Sequence, residues 1–234
     1  MIEFEYADSL KQDFTVQGEF YRLSRRDEEP LICRRRVEIS LRSEAGINTQ
    51  PDAVAVLMNP GSIRLLETDQ ARHFPLLDNP THWPLRNTNL RLLKPDNTQY
   101  QMMRLMRQMN WKRLRLINLS DLCDANSDSF ARLYRELNGD SEAEALPHSL
   151  LHSSRNKELK RLIKADHLIL AWGSNPVQQA DAEAFLKLVK RRKPMGLALE
   201  HPWYRFASPY RKDQKVSWLR EITALLKSAR ESVE

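Results

Sequence analysis

Asn59-Pro60-Gly61-Ser62, Asn118, Trp172-Gly173 and His201-Pro202 are the groups in this chain whose types could do chemistry on a small polar ligand. An amide both donates and accepts, so Asn59 in a tight Asn-Pro-Gly turn, beside exposed backbone N–H groups, could orient a water molecule or grip a carbonyl. A neutral imidazole at His201 could donate to charge that develops on a substrate oxygen. Asn118 offers a second amide and Trp172 an apolar ring. Each also has a plain structural reading. Asn-Pro-Gly is turn chemistry, a lone His or Asn at a strand end is ordinary structure, and Trp172-Gly173 is packing followed by a strand-to-helix turn. Their placement raises the functional reading. Each follows a short apolar run, at 54–57, 114–117, 168–171 and 197–199. In an open α/β sheet, ligands bind in the crevice outside the carboxyl ends of the strands, so four such tips predict one shared site.

The elements that must position these tips are legible from periodicity. The runs at 53–58, 114–117, 167–172 and 195–199 are nearly continuous in apolar residues, as strands covered on both faces read. Residues 33–42 alternate instead, with Val37, Ile39 and Leu41 opposed by Arg36, Glu38, Ser40 and Arg42, which predicts a half-buried strand near an edge, paired with a partner around 17–24. Met102, Leu105, Met106 and Met109 mark one helix, and Phe130, Leu133, Tyr134 and Leu137 a second, capped by Ser127 and stopped by Gly139. Leu159, Leu162 and Ile163 mark a third. Asn175-Pro176 opens a fourth, running through Phe185, Leu188 and Val189 to about 192, and Trp218, Leu219, Ile222, Leu225 and Leu226 mark the last. Strands alternating with helices predict an α/β three-layer sandwich with a mostly parallel central sheet, one domain over 1–234 with an N-terminal β extension at about 1–45. Residues 61–97, broken by Pro75, Pro80, Pro84 and Pro95, are expected to form a long loop over the cleft. A second loop is expected at 139–153.

Composition bounds the chemistry. Hydrophobic residues make up 41% of the 234 and charged residues 29%, ordinary for a folded soluble protein. No apolar run approaches the ~20 residues that cross a bilayer, and residues 1–6 lack the basic end of a secretory signal, so a cytoplasmic chain with no membrane partner is expected. Cys33 and Cys123 are the only cysteines, too few for a disulfide framework or an iron–sulfur cluster. With 6 glycines the chain carries no phosphate-loop or dinucleotide fingerprint. His148, His152 and His167 show no metal-ligand spacing, and Ser62 lacks a Gly-x-Ser-x-Gly elbow, so neither a metal nor a cofactor is expected. The formal charge of +6 permits contact with phosphates. Arg25-Arg26, Arg34-Arg35-Arg36, Arg113, Arg115, 190–193 and Arg211-Lys212 are candidate contacts, or else solvated faces and strand edges. Their gathering around one cleft would favour nucleic acid.

Met58-Asn59-Pro60, Ile117-Asn118-Leu119, Ala171-Trp172-Gly173 and His201-Pro202-Trp203-Tyr204, in that order, resemble the bacterial and phage domain-of-unknown-function 1643 family over roughly residues 20–210. More distantly the motif order is similar to the uracil-DNA glycosylase superfamily. That resemblance implies a uracil-DNA-glycosylase-like fold in which Asn59 orients the attacking water, Asn118 binds a base edge and His201 donates to the base carbonyl. Pro60, Gly61 and Ser62 would shape the turn, Trp172 would lie in the sheet at the pocket, Phe74 or Trp83 would supply a stacking surface, and Tyr204-Arg205-Phe206 would wedge or clamp the strand, whereas a closed pocket walled by Trp203 and the 61–97 loop would favour a small ligand. Such an enzyme draws a base from the stack and reads its polar edge. The resemblance therefore implies binding of a nucleic-acid base or nucleotide, from DNA or free, with hydrolysis of an N-glycosidic bond. A non-catalytic nucleic-acid-binding relative serving DNA metabolism or phage defence, and an enzyme acting on a small molecule, are the alternatives. Two departures stand out: Gly61 replaces a common Ser, and Trp203-Tyr204 replaces the small Ser-Pro that lets glycosylases approach the DNA backbone.

Overall fold

The computed structural model describes residues 3–25, 28–45, 50–66, 73–79, 89–138 and 146–231. In chain order the elements are α1 (Ala7–Asp13), β1 (Phe14–Arg25), β2 (Glu28–Leu41), β3 (Ala53–Leu57), β4 (Leu76–Leu77), β5 (Leu90–Leu92), α2 (Asn97–Met109), β6 (Arg113–Asn118), α3 (Ser127–Asn138), α4 (Asn156–Leu162), β7 (His167–Leu170), α5 (Gln179–Val189) and α6 (Lys212–Glu231). β3 is buried along its whole length. Its alternate side chains serve two cores, Ala53, Ala55 and Leu57 on one face and Val54 and Val56 on the other. α2 and α6 cover the first face through Met102, Leu105, Met106, Trp218 and Ile222. α4 and α5 cover the second through Leu159, Leu162, Phe185 and Val189. This double cover is why β3 reads as an unbroken apolar run.

The sheet has seven strands in the order β4-β1-β2-β6-β3-β7, with β5 also on β1. β3 lies parallel to both β6 and β7. β2, however, runs antiparallel to β6, and β1 antiparallel to β2 and β5. The sheet is therefore mixed, which corrects the expectation of a mostly parallel one. Long strands adjacent in sequence close most simply as an antiparallel hairpin, and β1 and β2 carry the alternation of that arrangement. The predicted pairing partner of 33–42 is in place, with Gln17 opposite Glu38 and Val16 opposite Ile39, but β2 is an interior strand between β1 and β6 and is buried on both faces at 37–40, not a half-buried strand near an edge, because Glu38 is taken up by ion pairs with Arg36 and Arg115.

Three boundaries differ from the sequence reading. The run at 195–199 is no strand. It touches β7 by one parallel bridge between Met195 and Ile169, then turns back as a narrow hairpin in which Arg205 N donates to Leu197 O (2.8 Å) and Leu199 N to Trp203 O (2.9 Å). Gly196 is what lets it approach β7, since a Cβ there would stand 2.5 Å from Leu170 O. α3 is capped one residue earlier than expected, by Asn126 Oδ1, which accepts from Asp128 N and Ser129 N, both at 2.9 Å; the stop at Gly139 lies outside the described residues. Within 61–97, the described parts are stitched to β1 through β4 and β5, and Leu65 bridges Leu93.

Candidate functional site

A cavity of about 410 Å³ opens at the carboxyl ends of β3, β6 and β7. Leu57 and Leu116, on the α2–α6 side of the sheet, form its floor. Trp172 and Phe206 supply aromatic wall, and the turn after β3 brings Asn59, Pro60 and Gly61 to its edge. Gly61 holds φ at +69°, a left-handed conformation in which glycine carries no Cβ penalty. Asn59 is held firmly. Its Nδ2 donates to Asp124 O (2.6 Å) and Leu122 O (3.4 Å), tying the β3 turn to the segment after β6, while its Oδ1 has no partner among the described residues.

The N-terminal ends of three helical segments face the same space. Asp96 and Gln99 form a capping box at the start of α2, with Gln99 N donating to Asp96 Oδ1 (2.9 Å) and Asp96 N to Gln99 Oε1 (3.0 Å). Ser127 opens α3, and Asn175 Oδ1 accepts from Val177 N (3.1 Å) at the turn that leads into α5. Asp96, Gln99, Ser127 and Asn175 line the cavity, together with the carboxylate-bearing Asp124. The capping box Asp96-x-x-Gln99 is a sequence signature that locates the start of α2; nothing local in sequence brings it to this cavity.

The principal cation of the cavity is Arg34 of β2, only 3% exposed. Its Nη2 donates to Pro60 O (2.5 Å), its backbone N donates to Asp121 O (2.8 Å), and its Nε has no partner among the described residues. A β-bulge explains its direction. Glu19 pairs with Arg36 and Phe20 with Arg34, so Arg35 is the extra residue on β2. Arg35 and Arg36 both reach Glu19, at 2.6 Å each, and Arg35 also pairs with Glu158. Arg36 and Arg115 in turn hold Glu38, at 3.3 and 2.6 Å. These arginines, candidate phosphate contacts by sequence, are thus consumed by carboxylates inside the protein. Arg25 pairs with Glu28 and Glu136, and Arg211 with Asp213. No continuous basic track leads from the cavity through these groups.

The ion pairs continue into a closed cluster behind the cavity. Arg155, fully buried, pairs with Asp121 (2.7 Å) and Glu158 (3.1 Å) and donates to Pro147 O, His148 O and Ser149 O, each at 3.3 Å. Tyr21 OH donates to Asp121 Oδ2 (3.1 Å). Burial pushes the Asp121 carboxyl up to about 7, against the pull of Arg155. Burial, reinforced by Arg155, brings His148 down to about 3, so its ring is neutral, with Nδ1 3.1 Å from Ser120 Oγ.

Of the residues singled out in sequence, Asn59, Pro60, Gly61 and Trp172 line the cavity. Asn118 shares the strand face of Leu116 at the end of β6, buried, with Oδ1 unpartnered. The others lie elsewhere. Ser62 is exposed and its Oγ accepts from Arg64 Nε (3.4 Å). Phe74 is a core residue, stacked on Phe20 with ring centroids 4.9 Å apart, and offers no free face to a ligand. Trp83 lies outside the described residues. His201 is exposed in the turn of the 197–205 hairpin and is not part of the cavity wall. That turn acts from behind, as Pro202 O accepts from Trp172 Nε1 (3.2 Å). Tyr204 packs its ring edge-on to Trp172 at 5.3 Å, Trp203 packs on the second core, and Arg205 pairs with Glu221 of α6 (2.6 Å). The 197–199 tip therefore contributes no polar end to the pocket, whereas Arg34, Asp96 and Asp124, which the sequence reading did not place there, do, and of the expected Tyr204-Arg205-Phe206 clamp Phe206 alone reaches the wall.

No family model, curated protein or solved structure matches the chain.

Proposed function

We propose that the cavity binds a nucleic-acid base carried on a nucleoside or nucleotide. The observation that carries this reading is the cavity itself. It has about 410 Å³ at the carboxyl ends of three parallel strands, aromatic wall from Trp172 and Phe206, and both donors (Arg34, Gln99) and acceptors (Asn59 Oδ1, Asp96, Asp124) around it. A planar base needs an apolar surface for its faces and groups of both kinds for its edge, and the carboxylates suit ribose hydroxyls. The internal pairing of Arg35, Arg36 and Arg115 supports a free nucleotide or one extruded residue over a long duplex, whose phosphates would need an open row of cations. The β6-β3-β7 trio with Asn59 and Trp172 at the cavity supports kinship with the uracil-DNA-glycosylase-like fold and the domain-of-unknown-function 1643 family.

Hydrolysis of the N-glycosidic bond is a second reading, favoured by the anchored Asn59, whose free Oδ1 can accept from a water at the cavity edge. In that reading the departing base takes its hydrogen bond from Arg34 instead of His201. Calorimetric titration of free bases, nucleosides, mononucleotides and short single strands tests the binding, with Ala125→Trp to fill the cavity mouth and Asn59→Ala. Binding abolished by Ala125→Trp is expected. Binding untouched by that substitution, or none by any compound, overturns the assignment. Base release lost in Asn59→Ala supports hydrolysis, and its absence from wild type removes it.

A further inference from the structure

We infer that the ligand of this cavity carries an oxyanion, and that Arg34 is the residue that holds it. The inference rests on the cavity being a ligand site and adds the ligand's charge. Arg34 differs from the arginines around it, and unlike Arg113 of β6, which also has a buried nitrogen without a partner among the described residues, it lines the cavity. Arg35, Arg36, Arg115 and Arg155 each pair with at least one carboxylate, at separations down to hydrogen-bond contact. Arg34 pairs with none among the described residues. Among these its guanidinium has a single acceptor, Pro60 O, and its Nε is buried without a partner.

A guanidinium cannot shed its proton to escape burial, and a buried charge without a counter-charge is among the costliest arrangements in a folded chain. Since Arg34 lines the cavity, the missing counter-charge has a place to enter. The acids that share the cavity each give one oxygen to a backbone N–H, Asp96 Oδ1 to Gln99 N (2.9 Å) and Asp124 Oδ1 to Asn126 N (2.8 Å), and neither forms an ion pair with Arg34. The first turns of α2 and α3, helices of 13 and 12 residues, also open on this space, and their dipoles favour negative charge there. A planar fork with a free N–H suits a phosphate or carboxylate, and on a nucleotide the phosphate is that group.

The test is calorimetry at one fixed ionic strength with nucleosides, their 5′-monophosphates, inorganic phosphate and acetate, on wild type, Arg34→Gln and Arg34→Lys. Wild type is expected to bind the monophosphate at least about tenfold tighter than the nucleoside, as a charge-assisted pair implies. Arg34→Gln is expected to lose that advantage and Arg34→Lys to retain part of it. Thermal unfolding of the ligand-free proteins serves as the control on folding. Removing an uncompensated charge should leave the melting temperature of Arg34→Gln equal to or above wild type, whereas Arg35→Gln should lower it. Equal affinity for nucleoside and monophosphate, or a phosphate advantage that survives Arg34→Gln, overturns the inference while the nucleotide site stands. Phosphate or acetate bound only when Arg34 is present, with no gain from a nucleoside moiety, keeps the oxyanion site and removes the nucleotide reading. A clear melting loss in ligand-free Arg34→Gln also counts against it, because it means the charge is already compensated.

Discussion

Replacing Asp121 by Asn removes a titrating carboxyl from the buried cluster while keeping its size and an oxygen to accept from Tyr21. Its ordinary value is 3.8, and burial lifts it to about 7 in the folded chain. Below pH 3.8 the group is protonated whether the chain is folded or not. From 3.8 to about 7 the folded chain keeps a proton that the unfolded chain has released, so stability falls as pH rises, and the loss is complete above about 7. Each pKa unit is worth about 1.4 kcal/mol, which makes the swing about 4 kcal/mol. His148 works in the opposite sense. With its pKa drawn from 6.5 to about 3, only the unfolded chain takes up a proton as pH falls below 6.5, and stability is lost on acidification through that range. Between pH 4 and 6.5 the two slopes nearly cancel in wild type. Asp121→Asn removes one of them, so its stability relative to wild type should rise by about 4 kcal/mol between pH 4 and 8, with about 1.4 kcal/mol lost per pH unit on acidification from 6.5 to 4 owing to His148 alone. Urea unfolding followed by tryptophan fluorescence at half-unit pH steps measures both. Parallel curves for the two proteins across this window would refute the reasoning.

Arg155→Met leaves Asp121 and Glu158 buried without their partner and strands three carbonyls, so a loss of about 3–5 kcal/mol is expected in urea unfolding at pH 8. Phe74→Ala should cost about 3–5 kcal/mol by the same measurement, because the ring is part of the core and stacks on Phe20; a variant of wild-type stability that merely loses ligand would reverse that assignment. His201→Ala should change stability by no more than about 0.5 kcal/mol and leave the affinity of any cavity ligand unaltered in calorimetry, since the ring is exposed and outside the wall. Gly61→Ala meets open space but must hold φ near +69°, so thermal unfolding should report a loss of about 1 kcal/mol, with weaker ligand binding as the turn shifts.

The periodicities determined by themselves where most elements lie. The continuous run of β3, and Met102, Leu105, Met106 and Met109 on α2, each record which side of a segment loses water, and that record is local, whereas the alternation at 37–42 promised a half-buried edge and β2 is an interior strand with Glu38 and Ser40 buried too. The turn at 59–61 and the Trp172-Gly173 step were legible for the same reason, as polar or turn-forming residues that end buried runs. Pairing direction was not, because an antiparallel and a parallel neighbour bury the same strand face. Nor could the sequence separate Arg34, Arg35 and Arg36, three identical residues in a row. One bulged position on β2 sends two of them to Glu19 and Glu158 and leaves the third at the cavity, and the carboxylates that decide this come from β1 and α4, distant in the chain. The walls at Asp96 and Asp124, and the exclusion of His201, were likewise decided only in three dimensions, where loops remote in sequence end around the same strand tips. Burial pattern is a property of each segment, whereas charge compensation and cavity shape are properties of pairs of segments, and only the folded chain brings those pairs together.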